Sequence, residues 1–343
     1  MATPAQDWFL SRKWGVFFHY LEQAQNGEGN FHNTNGSKTD WNSCTRELDV
    51  EKIARQLHEV NAGFVGITLT QCSPHLCVPS ETLDEIVGYA SGNSAASNRD
   101  VVADLSDALA KYDIPLFLYF TGDGPMNDPE AMTAFSGDAR RINPGDKLVS
   151  KELAAKWSAV MRELSLRYGK KVSGWWVDGL YGPIGYDFEM MQQFKDAARA
   201  GNPDSLFTAN YYGCFDVGTE KMVEIPGGGE TIFADFFHHV VKPTPLDDYT
   251  SGEVDCLDVY PTQRLVDGAQ AFVFSFLGIP EYPAQVYNGW GAPGCKYSPT
   301  YLKKYVKQVN DLGGVVMLDA CLYRDGHMDA DQVEALMALK ELL

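Results

Sequence analysis

Groups able to move a proton or bind a hydroxyl recur at one kind of place in this chain, directly after a short apolar run. Gly174-Trp175-Trp176-Val177 is apolar and aromatic, and it ends on Asp178-Gly179. A run of that length and composition reads as a strand buried on both faces. Other runs end in a similar way. Gly15 to His19 closes on a histidine, Gly63 to Thr70 leads into Gln71-Cys72, and Pro115 to Phe120 carries Tyr119 near its end. Ser205 to Asn210 closes on an amide, Ile232 to Phe236 carries Asp235, and Val315 to Leu318 leads into Asp319. Breaking a glycosidic bond needs two carboxyl groups, one as nucleophile or base and one held protonated as acid. Asp178 is the first candidate. The second would come from Asp216, Glu220, Glu224, Glu230 or Asp235, all of which follow the fifth or sixth run. The competing reading of Asp178 is a cap on the next helix or turn, a common fate of an Asp after a strand.

These tips need a scaffold. With Ala271 to Phe276 the buried runs number eight, and helical patterns lie between them. Asp49 opens a helix with Ile53, Leu57 and Val60 on one face. Asn98-Arg99-Asp100 leads into another, with Val101, Val102, Leu105 and Leu109. Lys151 to Tyr168 places Leu153, Trp157, Val160, Met161 and Leu164 together. Tyr186 to Arg199, Tyr301 to Leu312 and a helix capped by Asp329 complete the set. Strand-helix alternation on this scale predicts an α/β fold, a (β/α)8 TIM-type barrel forming a single domain over residues 1–343. In such a barrel the strand tips form the catalytic face. Residues 216 to 270 fit least well, because loops outweigh any helix there. A doubly wound sheet is disfavoured, since no glycine-rich phosphate loop follows the first run.

Composition narrows the partners. The formal charge is −18, which argues against nucleic acid and anionic membrane, since both require a basic face. No apolar run approaches the roughly 20 residues of a membrane span. Seven scattered cysteines suggest free thiols in a reducing compartment, and the start of the chain has neither basic nor apolar leader character. A cytoplasmic protein is the expectation, although a mature secreted form would read the same. Cys72, His75 and Cys77 raise the alternative of a metal-dependent barrel hydrolase, but no second ligand cluster stands nearby. No cofactor or metal is expected. A homo-oligomer stays open.

Several stretches, in order, resemble the α-L-fucosidases of glycoside hydrolase family 29. Trp8-Phe9 with Arg12-Lys13-Trp14-Gly15-Val16-Phe17-Phe18-His19 resembles the family's N-terminal W-F-x-x-(R/A)-K-F-G-(I/L)-F-x-H-W. Arg99-Asp100-Val101-Val102-Ala103-Asp104-Leu105, then Leu116 to Phe120, is similar to R-D-(V/L)-V-x-E-L followed by F-G-x-Y-Y. Trp175-Trp176-Val177-Asp178-Gly179 resembles the nucleophile motif. Gly313-Gly314 to Asp319, with Asp325-Gly326, resembles the final strand and its loop. The resemblance implies a retaining exo-glycosidase with Asp178 as nucleophile, acting on an oligosaccharide or glycoconjugate. Phe215-Asp216-Val217-Gly218-Thr219-Glu220 looks like the family's D-F-x-T-x-E, which implies Glu220 as acid/base, with Glu230 second. The substrate-binding set it implies is His19, Trp41, Gln71, Cys72, Tyr119, Trp176, Asn210 and Trp290. The sequence departs from the family in three ways. The family's C-terminal β-domain has no counterpart, Gln71-Cys72 stands where paired histidines grip the fucose hydroxyls, and Tyr20 replaces the Trp after the N-terminal His. A sugar other than plain α-L-fucose is therefore expected, and a non-catalytic sugar-binding barrel is the alternative.

Overall fold

The structure is a computed structural model. It describes residues 1–25, 39–137, 149–211, 243–254, 256–279 and 289–343, with the backbone alone of 223–224 and 230–231. Seven strands form one parallel sheet: β1 (Trp14–Phe18), β2 (Val65–Thr68), β3 (Leu116–Thr121), β4 (Val172–Asp178), β5 (Leu206–Ala209), β6 (Phe272–Phe276) and β7 (Val315–Asp319). Their order is β6-β7-β1-β2-β3-β4-β5, which is chain order wrapped around, as in a (β/α)8 barrel. Each lies within two residues of an expected run.

The helices form where periodicity and caps agree. The main ones are α1 (Pro4–Ser11), α2 (Val50–Val60), α3 (Val101–Ala110), α4 (Lys151–Tyr168), α5 (Phe188–Arg199), α6 (Pro299–Asp311) and α7 (Ala330–Met337). From α2 onward each begins at an Asp or Ser whose side chain accepts a backbone N–H of the first turn. The expected apolar faces of α2, α3 and α4 are buried against the outside of the sheet. The short α1 has another task. It carries Phe9 into a nest of Phe64, Phe117, Tyr249 and Phe272, at centroid distances of 5.1–5.8 Å. These rings lie at the N-terminal ends of the strands, so α1 plugs the end opposite the strand tips.

Inside the barrel the filling is aromatic: Phe17, Tyr119, Trp176 and Phe274 pack ring against ring. Glycines make room for them. A Cβ on Gly174 would lie 2.2 Å from the ring of Phe117, and one on Gly66 would lie 2.5 Å from that of Phe17.

The sixth strand, expected at Ile232 to Phe236, lies outside the described residues. The gap between β5 and β6 is spanned instead by Asp248 to Val254. On one side the Asp248 N–H donates to the Phe207 carbonyl. On the other, Thr250 and Val254 donate to Gln270 and Phe274, and Phe274 donates to Gly252. Where backbone pairing with β5 fails, carboxylates take over: Asp248 accepts the Phe207 N–H at 2.8 Å, and Asp247 accepts that of Ala209 at 2.8 Å. An Asp-Gly hairpin then feeds β6. Leu265–Val266 pairs with Ala269–Gln270, and positive φ at Asp267 (46°) and Gly268 (94°) suits the tight turn.

Candidate active site

Asp178 is the last residue of β4, and the residues around it supply four donors. Its Oδ1 accepts the Gly179 N–H at 2.9 Å, the Tyr181 hydroxyl at 2.8 Å and the Asn210 Nδ2 at 3.0 Å. Its Oδ2 accepts the Tyr119 hydroxyl at 2.8 Å. Among the described residues one oxygen is thus fixed by three bonds and the other by one, which leaves the second the freer to react. Tyr119 is kept as a phenol, because burial, and then the charge of Asp178, pushes its pKa well above the ordinary value. Its ring stacks on Trp176 at 5.4 Å, and the Trp176 Nε1 donates to the Ser251 carbonyl. Trp176 therefore belongs to the floor beneath the site.

A second carboxyl comes from the strand substitute between β5 and β6. Asn210 directs the same Nδ2 to Glu253 Oε2 at 2.9 Å and to Asp178. Two acceptors that share one amide nitrogen stand at most about 6 Å apart, in the range of the roughly 5–5.5 Å separation of retaining glycosidase carboxyls. Sequence reading missed Glu253 because the segment has no strand pattern. Val254 was the available signal, an apolar residue directly after a carboxylate.

A third carboxyl, Asp123, follows β3. Its Oδ2 accepts the Cys72 thiol at 3.2 Å, and its Oδ1 is buried without a hydrogen-bond partner among the described residues. Burial, and then the nearby Asp178 charge, pushes its pKa up to about 7. The Asp123 side chain packs so closely on Gly179 (φ 68°) that a Cβ there would lie 1.9 Å from Oδ1. Gly179 thus serves both the turn after β4 and the placement of Asp123.

On the opposite side, the His19 Nδ1 lies 2.8 Å from Asp319 Oδ1, and Asp319 Oδ2 accepts the Gly291 N–H at 2.5 Å. The His19 ring meets Tyr119 at 5.9 Å and Trp290 at 5.6 Å. His19, Tyr119, Trp290, Asn210 and Asp178 are thereby gathered at the tips of the strands. Cys72 joins them through Asp123, its backbone at a positive φ of 54°. The Gln71 Oε1 beside it is buried without a hydrogen-bond partner among the described residues. Trp41 sits apart. It packs on Tyr20 at 5.5 Å and donates to the Leu76 carbonyl, under the outer layer.

Glu220, Asp216 and Asp235 lie outside the described residues. Glu230 is described only by its backbone, which pairs with Glu224. The three residues raised as metal ligands have other partners: Cys72 bonds Asp123, His75 Nδ1 meets Ser73, and Cys77 reaches the Thr68 carbonyl. Among the described residues no three His, Cys, Asp or Glu side chains gather as a metal would require, and no helix is long and apolar enough to cross a membrane.

No protein-family model and no curated protein matches the chain. Solved structures do. An α-L-fucosidase from Lactobacillus casei in complex with α-L-fucose is 16% identical, with a TM-score of 0.59 over 99% of this chain and 98% of that one. An endo-fucoidan hydrolase of glycoside hydrolase family 107 is 15% identical, with a TM-score of 0.66 over 98% and 92%. A second enzyme of that family is 13% identical, with a TM-score of 0.59 over 99% of this chain and 53% of the other. At these identities the likeness establishes the barrel fold.

Proposed function

We propose that the chain is a retaining exo-glycoside hydrolase that acts on fucosides or a closely related sugar, with Asp178 as nucleophile. The observation that carries this is the four-donor cradle around Asp178, with Glu253 joined to it through Asn210. Similarity to an α-L-fucosidase and to fucoidan hydrolases supports the choice of sugar. Asp178 Oδ2 attacks the anomeric carbon as the bond to the leaving oxygen breaks, and the acid/base delivers its proton to that oxygen. The same group then takes a proton from water, whose oxygen displaces Asp178 and releases the sugar.

Two carboxyls stand for the acid/base. Glu220 is indicated by resemblance, and Glu253 by its place beside Asp178. His19, Trp290, Gln71 and Cys72 frame the bound sugar. The altered second-strand tip, with Asp123 behind Cys72, is the reason to expect recognition that differs from that of a family 29 fucosidase.

The test is turnover of a panel of chromogenic α- and β-glycosides that includes the α-L-fucoside. Asp178→Ala should abolish release from the sugar accepted by wild type, and azide should restore it as a glycosyl azide of inverted configuration. Turnover by Asp178→Ala near the wild-type rate would remove the nucleophile assignment. Glu220→Ala and Glu253→Ala separate the acid/base candidates. The true acid/base variant keeps its activity on glycosides with good leaving groups, loses it on poor ones, and yields a glycosyl azide of retained configuration.

A further inference from the structure

Beyond the cradle, the catalytic face carries a stacked aromatic pair that the reaction does not use. Phe188 opens α5 and Tyr211 follows Asn210; their ring centroids are 5.1 Å apart and their planes 28° from parallel. Both belong to the strand-tip end of the barrel, since α5 begins after the loop that leaves β4, and Tyr211 lies two residues past β5. Tyr211 also adjoins the supports of Asp178, and Phe188 is joined to them through Tyr211. The Tyr211 phenol end packs on Gly182, where a Cβ would lie 2.7 Å from it, and the Tyr211 backbone carbonyl accepts the Gly182 N–H. Gly182 is next to Tyr181, whose hydroxyl holds Asp178. Phe188 is nonetheless 45% exposed, so one side of the pair faces solvent. An aromatic ring kept open on the same barrel face as the Asp178 cradle has a chemical use. The C–H faces of a pyranose pack on such rings, and the contact tolerates different hydroxyl patterns because it reads shape.

We propose that Phe188, backed by Tyr211, is the subsite for the leaving-group saccharide, stacking on the pyranose ring attached to the scissile oxygen. The proposal rests on the glycosidase reading above and adds to it a place for the aglycone. It implies that the natural substrate is a glycoside of another sugar, and that this second sugar is selected by shape.

The experiment compares two probes that share a glycosyl group and differ in leaving group. One is α-L-fucosyl fluoride, which has no aglycone ring; the other is α-L-fucosyl-(1→6)-N-acetylglucosamine. Phe188→Ala should lower kcat/KM on the disaccharide about fivefold, mostly through KM, and leave the fluoride unchanged; Phe188→Tyr should restore the loss. Equal loss on both probes, or loss on neither, overturns the subsite. If wild type hydrolyses neither probe, the fucoside-hydrolase reading fails separately. Calorimetric titration of the same disaccharide then decides the platform: binding weakened by Phe188→Ala keeps it, and wild-type binding that is absent or unchanged by the substitution removes it.

Discussion

The asymmetry between the two oxygens of Asp178 gives the sharpest prediction at the scale of single residues. Among the described residues Oδ1 has three donors and Oδ2 has one, Tyr119. Tyr119→Phe removes one hydroxyl from a buried ring and keeps its stacking on Trp176. A hydrogen bond to a charged group contributes on the order of 1.5–3 kcal/mol, so kcat/KM should fall roughly ten- to hundredfold. Activity within about twofold of wild type would show that Tyr119 acts only as packing. Asp178, Tyr119, Asn210 and His19 were legible in the sequence because each ends or nearly ends a recognisable strand, and a buried parallel strand delivers its last residues to the rim. Tyr181, Asp123 and Glu253 were not, because they sit on irregular chain whose course no periodicity records. Asp123 matters to Gly179 as well. Gly179→Ala would force a Cβ into Asp123 at a backbone angle that favours glycine, and should cost both stability and activity.

At the scale of elements, what was legible is what obeys a local rule. Helices α2 to α7 announce themselves through a capping Asp or Ser and an apolar face, and six of the strands outside β4 show the same dense apolar run. The stretch from Asp247 to Val254 obeys no such rule. Its hydrogen bonds come partly from side chains, with Asp247 and Asp248 holding backbone N–H groups of β5. Asp248 also receives Arg199 at 2.7 Å. Charged side chains doing the work of a strand ladder give a testable signature. Asp248→Ala leaves the Phe207 N–H and the Arg199 guanidinium without that acceptor, and should destabilise the fold by about 2–4 kcal/mol. Urea unfolding would measure it, and a change within 0.5 kcal/mol, on the order of an ordinary surface substitution, would show that this segment does not hold β5.

For the whole molecule the governing quantity is its negative charge, −18 in formal terms. Two half-buried carboxyls, Asp123 and Asp247, have pKa values pushed up to about 7, in both cases chiefly by desolvation. In the unfolded chain an Asp titrates near 3.9. Between about pH 4 and 7 the folded state therefore holds protons that the unfolded state has lost, so stability falls as pH rises through that window. Carboxyls with depressed values act elsewhere. Asp325, lowered to about 2 with Lys52 and His327 as its hydrogen-bond partners, loses its contribution only as pH drops below about 4. Growing self-repulsion of a strongly acidic protein pushes in the same direction as the two raised carboxyls, and the two causes separate by salt. Asp123→Asn should flatten the decline between pH 4 and 7 by on the order of 1–3 kcal/mol, and added salt should leave most of that difference in place. If salt alone removes the decline and Asp123→Asn changes nothing, the pH dependence belongs to the surface and Asp123 is ionised in the fold. If the difference persists, Asp123 keeps its proton through most of that window. The strand-tip rim then carries less charge than its count of acids suggests, which eases the repulsion among carboxyls gathered there.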